Sequence, residues 1–110
     1  MNKTQHLFVY GTLAPGQPNE HVLGEIKGQW QRGYVLGTLH EEGWGADMGF
    51  PGIKLSKEGS PVEGWVFSSD ELGPHWTRLD AFEGDAYLRV LTEVMISDQS
   101  TLSAFIYVLA

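Results

Sequence analysis

Glycine recurs so closely through the first half of the chain, at Gly24, Gly28, Gly33, Gly37, Gly43, Gly45, Gly49 and Gly52, that the segments between favour short strands joined at tight corners. The first strand precedes this series. Leu7, Phe8, Val9 and Tyr10 have the β-branched and aromatic bias of a buried strand, and Gly11 then opens backbone angles that a side chain forbids. Pro15, Gly16, Pro18 and Asn19 continue the turn, and Asn19 or Glu20 starts a short helix through Leu23. Backbone N–H groups in this turn have no evident partner, so it suits either an ordinary structural role or the binding of an anion.

Further along, the residues between Gly28 and Leu39 read as one or two strands interrupted near Gly33 and Gly37, followed by a loop from His40 to Phe50. Pro51-Gly52 turns into a short strand at Ile53 to Leu55, and the run from Lys57 to Pro61 reads as a hairpin turn. Val62 to Phe67 forms the next strand, with Gly64 at a bend or bulge. Ser68 to Glu71 reads as a helix entrance, Gly73-Pro74 either restarts the helix at Pro74 or confines that first turn to a separate piece, and the main helix reaches Asp80 or Phe82 and ends at Gly84. Strict alternation from Ala86 to Ile96 then predicts a long strand, and a last one runs from Thr101 to Leu109. Many strands with one main helix and short flanking helical turns predict an α+β fold, a small mixed and partly closed β-barrel in one domain spanning residues 1–110.

Composition removes several chemistries. Without cysteine there is no disulfide, thiolate zinc site or cysteine nucleophile, and the chain fits a reducing compartment. A formal charge of -7 with no basic stripe argues against nucleic acid. Met1 to His6 lacks the features of a signal peptide and no segment approaches a spanning helix, so the expectation is a soluble, cytoplasmic protein with no membrane partner. The four histidines and the carboxylates form no HxH or HExxH pattern, hence no metal is expected, and no G-x-S-x-G elbow marks a serine hydrolase. Asp47 reads as a backbone-binding residue of a glycine-rich loop.

The informative stretch is "PHWTRLDAFEG". Steps of four, three and four residues from Leu72 to Trp76, Leu79 and Glu83 place a carboxylate on the apolar stripe of a helix. Held there, Glu83 would have a raised pKa suited to general acid and base work; on a frayed last turn it would stand in water while Phe82 fills the core. Asp80 reads as a solvent group or a partner of Arg89, and Tyr87 and Arg89 share a strand face that either lines a pocket or forms an exposed polar row.

Taken together, "YGTL" at Tyr10 to Leu13, "GQPN", "FPG" at Phe50 to Gly52, the V-x-G-x-V-F strand at Val62 to Phe67 and "LDAFEGDAYLRV" resemble the γ-glutamylcyclotransferase-like (AIG2-like) family over nearly the whole chain. The YGTL and GQPN form looks especially similar to the γ-glutamylamine cyclotransferase branch. This resemblance implies a small mixed barrel flanked by helices and cyclisation of a small γ-glutamyl substrate to 5-oxoproline, with release of an amine or amino acid and without a cofactor. It implies Glu83 as the catalytic residue, Tyr10, Gly11, Thr12 and Leu13 as the cradle of the γ-glutamyl group, and Tyr107 as a tyrosine beside the cavity, with Tyr87 as a further lining residue. Pro74 and the end at Ala110 depart from some relatives, and a noncatalytic small-molecule binding module would share every one of these features.

Overall fold

The alternation seen in the sequence is realised as pairing. The structure, a computed structural model, describes residues 4–10, 21–24, 26–40, 52–84, 87–96 and 100–109. Its elements in chain order are β1 (Gln5–Val9), α1 (His21–Gly24), β2 (Gln29–His40), β3 (Gly52–Leu55), β4 (Ser60–Ser69), α2 (Trp76–Glu83), β5 (Tyr87–Met95) and β6 (Thr101–Leu109), with a 3₁₀ turn at Gly73–His75 before α2. The strands follow the order β3-β2-β4-β1-β6-β5, and a further pairing of Tyr34 with Met95 brings β2 back to β5. Five strands thus close into a barrel, with β3 attached outside the ring along the second half of β2. All pairs are antiparallel except β1 with β6, where Leu7 and Phe8 meet Phe105 and Ile106 in parallel. The expected α+β barrel is therefore present.

Alternation along β1 divides the apolar residues between two cores. Phe8 joins Val35, Ile53, Val62, Val66, Val94, Ala104 and Ile106 inside the barrel, with Tyr10 packed against them. Leu7 and Val9 face the other way, with Phe67 and Tyr107, onto Leu23, Leu72 and Leu79 from the helical segments. A strand buried on both faces needs no polar residue, which is why Leu7, Phe8 and Val9 form a continuous apolar run.

Three local expectations change. Gly33 and Gly37 do not interrupt β2, which pairs with β4 in unbroken register from Gln29 opposite Ser68 to Gly37 opposite Ser60. The same register runs through Gly64 without a bulge. Gly64 instead permits close approach, because a Cβ there would stand 2.3 Å from the Val9 carbonyl oxygen and 2.7 Å from the Phe8 ring. Ser68 and Ser69 are strand residues, not a helix entrance: they pair with His6 and Gln5 of β1, and the buried Ser69 hydroxyl bonds the Lys27 carbonyl and receives the Glu71 N–H. Chain pairing supplies more bonds at those two serines than a helix cap would.

The main helix begins after Pro74, and its stripe is as spaced. Leu72 and Leu79 are fully buried, and Trp76 packs against the outer core while its indole N–H donates to Gln5 Oε1 at 2.5 Å. Among the described residues no helix is long and apolar enough to cross a membrane.

Candidate active site

Glu83 is the last residue of α2. Gly84 follows it with φ 81° and ψ −173°, a backbone conformation strained for any side chain, while its N–H closes the helix on the Asp80 carbonyl at 3.0 Å. The last turn is therefore fixed, and Glu83 is half-buried while Phe82 packs against the outer core. Burial pushes the Glu83 carboxyl up to about 7. A carboxylate loses hydration on entering such a place, so its neutral form is favoured.

Two tyrosines feel the Glu83 charge. The Tyr10 hydroxyl, just past β1, donates to the Tyr107 carbonyl at 2.7 Å and accepts the Ile53 N–H at 3.0 Å, tying β1 to β6 and β3. Burial raises the Tyr10 phenol first, with Tyr87 and Glu83 adding to the rise. Tyr107, 3% exposed, points its own hydroxyl at Asp80 Oδ1 at 2.6 Å. Its phenol is likewise raised, chiefly by burial, then by Asp80 and more weakly by Glu83. Both hydroxyl protons are thus committed to protein acceptors.

Asp80 also meets Arg89 Nε at 3.2 Å, and the guanidinium lies over Trp76 at 4.3 Å and Phe105 at 5.2 Å from the ring centroids. The partnership of Asp80 with Arg89 follows from the sequence reading; the Tyr107 hydrogen bond does not, since those residues stand 27 positions apart. Tyr87 and Arg89 line one cleft of about 450 Å³ with Asp80, Gly84, Leu88 and Tyr107, so the polar row of β5 opens onto a cleft. Glu83 lies close enough to Tyr10 and Tyr107, and Tyr87 to Tyr10, for their charges to raise those phenols, but neither Glu83 nor Tyr10 is among the residues that line this cleft. Gly11, Thr12 and Leu13 lie outside the described residues, as do Asp47 and the Phe50-Pro51 part of the FPG turn. Among the described residues no group of three His, Asp or Glu side chains is placed to hold a metal. His6 instead shares a 2.6 Å hydrogen bond with Ser68, and His75 one of 3.2 Å with Arg78.

The raised carboxyl has a consequence for stability. The folded protein binds the Glu83 proton more tightly than the unfolded chain does, so between about 4.5 and about 7 the native state carries the extra proton. This contribution stabilises the fold at low pH and is lost as pH rises through that window. Urea unfolding of Glu83→Gln and wild type across pH 4 to 8 is therefore expected to show the variant gaining on wild type toward pH 8; a constant difference between them would contradict a buried carboxyl.

The family profile described as gamma-glutamyl cyclotransferase, AIG2-like matches residues 7–110. Among solved structures, an AIG2-like protein from Mus musculus aligns with TM-score 0.75 and 28% identity over 97% of this chain and 78% of its own. YkqA from Bacillus subtilis aligns with TM-score 0.73 and 27% identity over 97% of this chain, which spans only 36% of YkqA. A gamma-glutamyl cyclotransferase shares the fold, with TM-score 0.69 at 14% identity over 98% of this chain and 68% of its own. No curated protein matches in sequence.

Proposed function

The chain belongs to the gamma-glutamyl cyclotransferase, AIG2-like family, and from that premise we propose that it cyclises the γ-glutamyl group of a small amide or peptide to 5-oxoproline, releasing an amine or amino acid. The observation that carries this reading is Glu83: a half-buried carboxyl at the end of α2, pushed by burial up to about 7 and close enough to Tyr10 and Tyr107 to raise their phenols.

In the proposed reaction the substrate's own α-amine is the nucleophile. Its nitrogen attacks the γ-carbonyl carbon, the new C–N bond closes a five-membered lactam, and the bond from that carbon to the leaving nitrogen breaks. Glu83 as carboxylate takes a proton from the attacking nitrogen and, as acid, passes it to the departing one, so the group ends as it began. A pKa near neutrality serves both halves, since neither transfer is then strongly uphill. Ring closure is intramolecular, and holding the reactive rotamer supplies much of the acceleration.

The remaining contacts divide the work. N–H groups of Gly11, Thr12 and Leu13 are proposed to receive the substrate's α-carboxylate or the oxygen that gains charge in the tetrahedral intermediate. With its hydroxyl bonded at both its donor and an acceptor position, Tyr10 is proposed to bind through its ring and to brace the turn. Tyr87 and Tyr107 are proposed as walls of the cavity. No cofactor is required by this electron balance.

Incubation of the protein with γ-glutamyl dipeptides and γ-glutamylamines, followed by mass spectrometry, tests the proposal. Stoichiometric 5-oxoproline and free amine are expected from at least one substrate. Saturable binding with no product would assign the same cavity to a noncatalytic binding module.

A further inference from the structure

Asp80 sits badly in its own helix. Aspartate is a poor helix former, and a negative charge near a helix C-terminus meets the negative end of the helix dipole. An eight-residue helix has little stability of its own, so its last turn needs tertiary anchors. One turn before Glu83, a single Asp80 oxygen accepts from the Tyr107 hydroxyl of β6 and forms an ion pair with Arg89 Nε of β5. Arg89 stacks over Trp76, the first residue of α2, so the same strand residue meets the helix at two successive turns. Beyond Tyr107 the chain of bonds continues through its carbonyl to the Tyr10 hydroxyl and from there to the Ile53 N–H.

We propose that Asp80 is a positioning residue for Glu83: by receiving Tyr107 and Arg89 it seats the last turn of α2 on β5 and β6 and fixes where the Glu83 carboxyl stands relative to Tyr10. The Tyr107 bond carries most of this. Asp80 is 45% exposed, where an ion pair with Arg89 is largely screened, whereas the Tyr107 ring is buried and its hydroxyl holds one direction. Titratable or charged groups that act on this site from the neighbouring elements include Tyr10, just past β1, Tyr87 and Arg89 from β5 and Tyr107 from β6. The role of Asp80 in turnover rests on the reaction proposed above.

The test follows the Glu83 carboxyl directly, by carbon-detected NMR titration, alongside kcat and KM for 5-oxoproline release. In Asp80→Ala the last turn is expected to loosen and hydrate Glu83, lowering its midpoint by about one pH unit or more and cutting kcat roughly a hundredfold with a smaller change in KM. Asp80→Asn removes the same charge but keeps an acceptor for Tyr107, so its midpoint is expected to stay near that of wild type. Tyr107→Phe deletes one oxygen from the other partner and is expected to reproduce Asp80→Ala, with the double variant no worse than either alone. Equal shifts in Asp80→Ala and Asp80→Asn would reveal a charge effect and overturn the proposal, and so would an unmoved midpoint in Tyr107→Phe. Because the titration needs no turnover, an inactive wild type whose Glu83 midpoint still responds to Asp80→Ala would overturn the reaction while supporting the placement of the carboxyl.

Discussion

Glu83→Gln is expected to reduce 5-oxoproline release by a factor of about 10³, within the range that loss of a general acid–base group produces. Glutamine has nearly the same volume and can keep the half-buried place at the end of α2, so the fold should survive. What it cannot do is take a proton from the attacking amine and return one to the leaving amine. KM should change little, because in the proposed reaction Glu83 moves protons and other groups hold the substrate. In wild type, kcat/KM should fall on the acid side of about 7 as Glu83 takes up its proton. Mass spectrometric initial rates from pH 5 to 9, with circular dichroism of both proteins, read all of this together. A folded glutamine variant that turns over at the wild-type rate would remove Glu83 from the chemistry.

Phe8→Ala is the substitution expected to cost the most stability. Phe8 is 1% exposed inside the barrel, and its ring stacks beside Tyr10 with centroids 6.4 Å apart and planes 22° apart. Gly64 on β4 leaves the room this ring occupies and has no side chain of its own to move into the void. Truncating a buried phenylalanine typically costs about 3–5 kcal/mol, against a total of about 5–15 kcal/mol for a domain. A fall in melting temperature of roughly 15 °C or more should follow, measured by calorimetry and by the urea midpoint. Tyr10 would also lose the surface it leans on, so turnover should drop at temperatures where the variant is still folded. A loss below about 1 kcal/mol would mean that the barrel interior collapses around the vacancy.

The elements were legible where one local rule governs. Alternation gave β5, and the four, three, four spacing from Leu72 put Glu83 on the buried stripe of α2. Reading failed where partners distant in sequence decide. Gly33 and Gly37 look like breaks in β2, yet a full row of bonds from β4 carries the strand through them. Ser68 and Ser69 have the chemistry of a helix cap, but pairing with Gln5 and His6 holds them in β4. Asp80 has the spacing of a surface residue, and only the packing of α2 against β6 reveals its second partner.

From the sequence alone came the inventory: the strands, the helix, the family motifs, and a carboxylate on an apolar face, all fixed by side-chain period and turn chemistry within a few residues. Tertiary structure decided which ends meet. Closure of the barrel through Tyr34 and Met95, the parallel joining of β1 to β6, and the bonds from Tyr10 through Tyr107 to Asp80 link residues as far as 97 positions apart. Whether Glu83 takes the buried place its spacing allows, with a raised affinity for a proton, or frays into water was settled by this second class, because desolvation depends on what surrounds a group in space.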